Sequence, residues 1–387
     1  MALAARTRRS SSAPPPDPDD DRDGGPGFWG GLLRSLLWTV IWFVVLGGAA
    51  AVTGVWLRVQ WDVAGPLPEA KDVVIPHGGT AAAAAALKSA GVIRNTPAFE
   101  ALTWITFFDG NIHAAEFNFP AQASIAEVLD VLRNAKPVEH KVTIVEGLTA
   151  KQIAATLMMS EAASGPIVIP PEGAALPQTY EFERGTTREA ILKRAEAAMD
   201  KELAAVWANR APNLPLTSPR DLLILASIVE RETAKPEERP HIAAVYLNRM
   251  RKGMKLQADP TVAYAISDGT GVLDHKLNRA DLDVNSPYNT YQIPGLPPGP
   301  ICSPGVASLH AVSRPMNSDD LYFVADGSGG HAFARTVDAH LRNVARWRSI
   351  QPVEPEPASA GSASGGPSGT VPAITRPAST GAATSGR

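Results

Sequence analysis

The stretch LLILASIVERET, Leu222 to Thr233, carries two carboxylates, Glu230 and Glu232, at the end of an apolar run. Successive helical residues step by about 100°, so Glu230 shares a face with Leu223, Ala226 and Ser227, while Glu232 points about 200° away. The two cannot form a two-carboxylate site as neighbours, because when one faces a cleft the other faces elsewhere. Ala226 and Ser227 are small, which predicts room over the turn preceding Glu230 and makes Ser227 a candidate contact there. A carboxyl ringed by Leu, Ile and Val holds its proton more tightly than in water. That is what a general acid requires, and it makes Glu230 the candidate. A solvated helix end is the plainer alternative. As an isolated buried acid, Glu230 is expected to add little stability, so Glu230→Gln should barely change thermal stability.

Three other carboxylates compete. Glu232 reads as a surface or helix-end charge. Asp259 precedes Pro260 and reads as an N-cap. Glu172, in a PEG loop, either lines a cleft or solvates a turn. Metal and phosphate chemistry find no support: the 8 histidines show no HExxH-like spacing, and DGSGG lies within a hairpin pattern rather than before a helix. No metal or cofactor is expected. A net charge of −3 and a pI near 6.3 give no sign of a nucleic-acid partner. The single cysteine, Cys302, excludes an internal disulfide.

The elements that must position these groups follow from composition and periodicity. Residues 1–34 begin with a Pro- and Asp-rich tail read as disordered. Ser35 to Leu57 is uncharged and mainly apolar. At about 1.5 Å per residue it is long enough for a hydrocarbon layer of roughly 30 Å. Trp38 and Trp56 lie near its ends, and Arg6, Arg8, Arg9, Arg22 and Arg34 precede it. This predicts an uncleaved anchor over 35–57 with a cytoplasmic N-terminus and an exported remainder. A cleaved signal peptide is the rival, since Ala49-Ala50-Ala51 imitates a cleavage site. Residues 72–160 alternate strands with capped helices, Ser124 with Glu127 and Thr149 with Gln152 each forming a capping-box pair, and suggest a small α+β module. Residues 161–212 read as a Pro/Gly-rich connection and one long helix from Thr187. Residues 213–349 are mainly helical and close with a hairpin, LYFVADGSGGHAFA, and a last helix. Residues 352–387 are low-complexity.

LASIVERET, AAVYLNRMRKGMKLQADPTVAYAI, SPYNTYQIPGLPPGPI and LYFVADGSGGHAF together resemble the membrane-bound endolytic murein transglycosylases of the MltG, or YceG-like, family. TIVEGLTAKQIA and PEGAALPQTY resemble its upstream segments, in the same order, and the resemblance covers about 73–348. It implies an α+β chain with one transmembrane helix, a LysM-like α/β subdomain and a mainly helical catalytic domain with a β-hairpin. It also implies cleavage of the β-1,4 bond between N-acetylmuramic acid and N-acetylglucosamine without water, the muramoyl C6 hydroxyl attacking C1 to leave a 1,6-anhydro end. The nucleophile then belongs to the substrate, so one carboxyl serves as acid and then base. The resemblance assigns that part to Glu230, in contrast to the two carboxylates of an ordinary glycosidase. It further implies peptidoglycan as partner, proximity to penicillin-binding proteins or other wall-synthesis machinery, and a plasma-membrane location with an extracytoplasmic catalytic domain.

The loop 285–301 holds Asn285, Tyr288, Asn289, Tyr291 and Gln292. Amides pair with sugar hydroxyls and acetamido groups, and phenol rings cover apolar sugar faces. The alternative is a proline-stiffened loop whose tyrosines pack a domain edge. Gln257 is a further candidate sugar contact, and His331 matches the family's Gly-His-aromatic stretch. A non-catalytic wall-binding anchor is the alternative to the enzyme.

Overall fold

The computed structural model describes residues 27–350. The Pro-rich start and the tail from 352 lie outside them. The fold is helix-rich α+β with three separate two-stranded antiparallel sheets among the described residues. It divides into two compact units, one ending at Ala135 and one beginning at Lys136.

The first unit opens with α1 (Gly27–Asp62), an unbroken helix. Its stretch Leu33–Asp62 is apolar enough to cross a membrane, with mean hydropathy 2.1 in its best window. The helix is longer than the expected 35–57, and it includes the last residues of the segment read as a disordered tail. Then follow β1 (Lys71–Val74), α2 (Gly79–Ser89), α3 (Thr96–Ile105), β2 (Glu116–Phe119) and α4 (Ile125–Asn134). β1 and β2 pair antiparallel, Lys71 opposite Phe119 and Val74 opposite Glu116. The sequence reading contained no α3; Asn95 caps it through Ala98 N–H, and Pro97 stands in its first turn. The expected capping box of Ser124 and Glu127 starts α4. Leu87, Phe99, Phe117, Phe119, Leu129 and Leu132 form the core, and Leu57 and Trp61 of α1 pack against it.

The second unit begins with β3 (Glu139–Thr143), α5 (Ala150–Met158) and β4 (Thr179–Glu183). β3 pairs antiparallel with β4, Glu139 opposite Glu183 and Thr143 opposite Thr179. This moves the boundary expected at 160 back to 135. A strand and its ladder partner cannot be divided between modules without leaving backbone groups unpaired. The segment read as a connection is thereby part of a core, with Ala175, Tyr180 and Phe182 buried beside Ile153, Leu157 and Ile191.

The long helix α6 (Arg188–Ala208), capped by Thr187, joins this core to a second one built on α7 (Pro219–Glu232) and α8 (Arg239–Arg251). Ser218 and Asp221 form a capping box at the start of α7, with Pro219 at the first helical position. From Ile224 onward the helix is covered on every side: Ile224, Leu225, Ala226, Ser227, Ile228 and Val229 are all buried. An all-round apolar helix is a core helix, which explains the greasy run before Glu230. The remaining elements are α9 (Asp259–Ile266), α10 (Arg279–Leu282), α11 (Val306–Ser313), β5 (Tyr322–Ala325), β6 (His331–Ala334) and α12 (Val337–Ile350). β5 and β6 form the expected hairpin, Tyr322 opposite Ala334. α11 packs against both α7 and α8.

Candidate active site

Two glutamates two residues apart on α7 have opposite surroundings. Glu230 has a side chain only 4% exposed. Its Oε1 accepts from Arg239 Nη2 at 2.9 Å, and its Oε2 accepts from Gly305 N–H at 2.9 Å. Gly305 is the N-cap residue of α11, where free N–H groups and the helix dipole favour an anion. Arg239 begins α8 and also reaches Glu146 at 3.5 Å. The segment after β3 is held here by Gly147 N–H to Ser303 O and Ser303 N–H to Leu148 O, each 2.9 Å. A Cβ on Gly305 would meet the Glu146 carboxylate, so glycine here lets that side chain lie against the start of α11. Burial pushes the Glu230 carboxyl up; the Ser308 hydroxyl, Arg239 and Gly305 N–H pull it back, and Glu146 pushes again. The Ser308 hydroxyl is near enough to favour the carboxylate but makes no well-formed hydrogen bond.

This arrangement ties α7, α8, α11 and the 146–148 segment together. Glu230 therefore has no room beside it, contrary to the expectation. Ile301 and Cys302 fill the space over Ala226 and Ser227: Ile301 N–H donates to Ser227 Oγ at 3.0 Å, and Cys302 Sγ donates to Ser227 O at 3.2 Å. Ser227 is fully buried and also donates to Ile224 O, which removes it from any substrate-facing surface.

Glu232 was expected at the surface, and the structure corrects this. The residue is half-buried, and its carboxyl is enclosed enough that burial raises it to about 8. Its Oε1 accepts the Tyr246 hydroxyl. The Asp259 charge raises it further, and the charge of Arg249 pulls it down. Arg249 makes no ion pair with it, because Nε donates to Leu321 O at 2.7 Å and Nη1 to Leu256 O at 2.6 Å. Asp259 is not the N-cap of α9. Ala258 holds that position, and Asp259 Oδ1 instead accepts the Tyr291 hydroxyl at 2.6 Å. Burial raises the Asp259 carboxyl, against the pull of Tyr291. The result is two enclosed carboxyls, each with a phenol donor.

The remaining candidates separate. Gln257, exposed and at φ 51°, precedes the Asp259 turn and donates its N–H to Thr290 O at 3.1 Å. Asn289 is fully buried, donating to Leu282 O and Val284 O and accepting from Tyr291 N–H, so it builds the loop rather than meeting a ligand. Glu172 and Tyr288 come together through a residue the sequence reading missed, Tyr264. Its hydroxyl donates to Glu172 Oε2 at 3.1 Å, and its ring lies 5.0 Å from that of Tyr288. Glu172 also accepts Ala150 N–H at the start of α5, and burial raises its carboxyl. His331 bonds Glu238 through Nδ1 at 2.7 Å and through its N–H, a tie between hairpin and helix. Arg239, Tyr246 and Arg249 were also missed. The available signal was their place in a helix that also carries the apolar run Ile242 to Val245 and Leu247, all buried. Among the described residues no His/Cys/Asp/Glu group could hold a metal ion.

Known proteins resemble this chain over much of its length. The endolytic murein transglycosylase of Streptococcus pneumoniae is 34% identical over 232 residues, 58% of this chain and 39% of that protein. The endolytic murein transglycosylase of Bacillus subtilis is 35% identical over 176 residues, 44% of this chain and 46% of that protein. The chain thus spans less than half the length of these curated relatives. A crystal structure of a yceG-like protein from Listeria monocytogenes is 29% identical with a TM-score of 0.44, covering 71% of this chain and 99% of that one. The YceG-like family model matches residues 73–346, which include both glutamates, and the chain belongs to that family.

Proposed function

We propose that the chain is an anchored lytic transglycosylase that cuts the β-1,4 bond between N-acetylmuramic acid and N-acetylglucosamine within nascent glycan strands, with Glu232 as its acid and base. The carrying observation is the contrast on α7. Glu230 is held between Arg239 and Gly305 N–H, whereas Glu232 makes no ion pair among the described residues and keeps its proton to about pH 8. A general acid works best with a proton affinity near the operating pH. Glu232 would protonate the leaving glycosidic oxygen as the C1–O bond breaks. The muramoyl C6 hydroxyl then bonds to C1, and its proton returns to Glu232. Donor and acceptor end as they began, so no second carboxylate and no water are consumed. The Tyr246 hydroxyl and the Arg249 charge would steady the carboxylate between the two transfers. Asp259, fixed by Tyr291, would act by keeping Glu232 protonated. Gln257, exposed, and Tyr291, half-buried against Asp259, are the proposed glycan contacts.

On this reading α1 carries a single-pass anchor with a cytoplasmic N-terminus, supported by the arginines before its uncharged stretch, and the chain after α1 works outside the membrane. The LysM-like subdomain, expected over 72–160, has on this reading its centre in the strand–helix–helix–strand segment from β1 to β2. The partners are glycan strands and the penicillin-binding proteins or other wall-synthesis enzymes that make them. The test is product analysis. Full-length protein in detergent with purified glycan strands should release 1,6-anhydro-muramoyl ends by mass spectrometry, and Glu232→Gln should abolish them. Reducing ends carrying added water would instead make it a hydrolase. Absence of any product from the unaltered protein would leave a non-catalytic wall-binding anchor. Loss of product in folded Glu230→Gln, with product retained in Glu232→Gln, would return the role to Glu230.

A further inference from the structure

The end of α3 carries an apolar patch that no element of its unit covers. Trp104 is 78% exposed and Phe108 is 87% exposed, and Ile105 and Phe107 are exposed between them. The Phe107 and Phe108 rings lie against each other, 4.0 Å between centroids. Four adjacent large apolar side chains on a tight helix end are not the scattered exposure that soluble surfaces tolerate, and contiguous patches mark a partner or a membrane. The patch is held firmly. Arg133 of α4 donates to Thr106 Oγ1 at 2.8 Å and pairs with Asp109 at 3.8 Å. Such anchoring removes the explanation that the ring-bearing turn is simply loose.

Its position in the unit identifies the occupant. α3 packs against α1, the helix apolar enough to cross a membrane. The N-terminal end of α3, at Asn95, lines one small cavity with Gln60, Val63, Ala64 and Gly65, at and beyond the distal end of α1. Leu57 and Trp61 of α1 pack on the core that holds Phe99 and Leu102 of α3. α3 starts beside the far end of α1 and packs against it, and its ten residues keep its C-terminal end within about 15 Å of that start. We infer that Trp104, Ile105, Phe107 and Phe108 dip into the headgroup boundary of the bilayer that α1 crosses, a second contact that seats the first unit on the lipid. Trp and Phe favour that boundary, whose polar and apolar layers match an amphipathic ring and a following charge. Asp109, with its side chain 69% exposed, sets the depth at the headgroups rather than the acyl core. Two contacts restrict the swing of the unit about its anchor.

This inference rests on the reading of α1 as an anchor, and the experiment separates the two. Full-length Phe108→Cys is labelled with an environment-sensitive nitrobenzoxadiazole dye and reconstituted into phosphatidylcholine–phosphatidylglycerol vesicles. Arg94→Cys, exposed at the opposite end of α3, is the control. Cys302 is fully buried and stays unlabelled. Phe108 is exposed and lies on the neighbouring Phe107 ring rather than in the core of the unit, so the variant folds. The expected result is blue-shifted emission at 108, quenched by headgroup-level spin-labelled lipid several times more than at 94. Protein that floats with the vesicles while both positions give water-like, equally quenched emission overturns the seating and leaves the anchor. Blue-shifted emission at 108 in detergent at high dilution of lipid, lost on dilution of protein, means a second copy covers the patch and also overturns it. Protein that fails to float overturns the anchor and the seating together.

Discussion

Glu232→Gln isolates the proton on which the proposed chemistry depends. In the folded chain the Glu232 carboxyl is raised from 4.5 to about 8, first by burial and then by the Asp259 charge. Below 4.5 the folded and unfolded chains are both protonated there, and the stabilisation is complete. As pH rises toward 8 the unfolded chain releases the proton while the folded chain keeps it, so stability falls until the folded carboxyl also ionises. A difference of about 3.5 pH units at about 1.4 kcal/mol per unit makes the loss about 5 kcal/mol in all. Glutamine keeps an oxygen for the Tyr246 hydroxyl and cannot titrate. The two proteins should therefore have similar stability near pH 5. The variant should gain steadily on the unaltered protein and lead by several kcal/mol at pH 8.5. Urea unfolding of the full chain in detergent, followed by near-ultraviolet circular dichroism from pH 5 to pH 9, measures this. Parallel curves for the two proteins would show that Glu232 titrates as an ordinary surface carboxylate, and the acid–base assignment would fall with it.

Three further outcomes follow from the same pockets. Glu230→Gln turns one of two donors, Arg239 or Gly305 N–H, against an amide N–H. It should cost about 1–3 kcal/mol, against the sequence-based expectation of little change, with glycan cleavage retained below the lowered melting temperature. Unchanged melting would show that the Arg239–Glu230–Gly305 tie carries no stability. Tyr291→Phe removes the phenol that pulls the Asp259 carboxyl down, so that carboxyl rises and its charge presses less on Glu232. The alkaline limb of the cleavage rate should shift to lower pH, and an unmoved limb would uncouple the two carboxyls. Cys302, fully buried and with its thiol pushed well up by burial, should resist iodoacetamide in the folded protein and react only on unfolding, read by mass spectrometry.

Much of the local structure is legible in the residues themselves. Ser218-Pro219 with Asp221 starts α7, Ser124 with Glu127 starts α4, and the apolar span before Arg58 makes a long helix, because caps and periodicity act over a few residues. The position of β4 was not legible. TYEF has the alternation of a strand, but its pairing depends on β3, far earlier in the chain. The same limit divided the two glutamates. Helical geometry alone says that Glu230 and Glu232 face different ways, and it cannot say which one is enclosed without a cation. That was decided by Arg239 and Gly305 on one side of α7, and by Tyr246, Asp259 and Arg249 on the other. A carboxyl's proton affinity is set by the charges and donors within a few ångströms, and only the folded chain brings those residues within that distance.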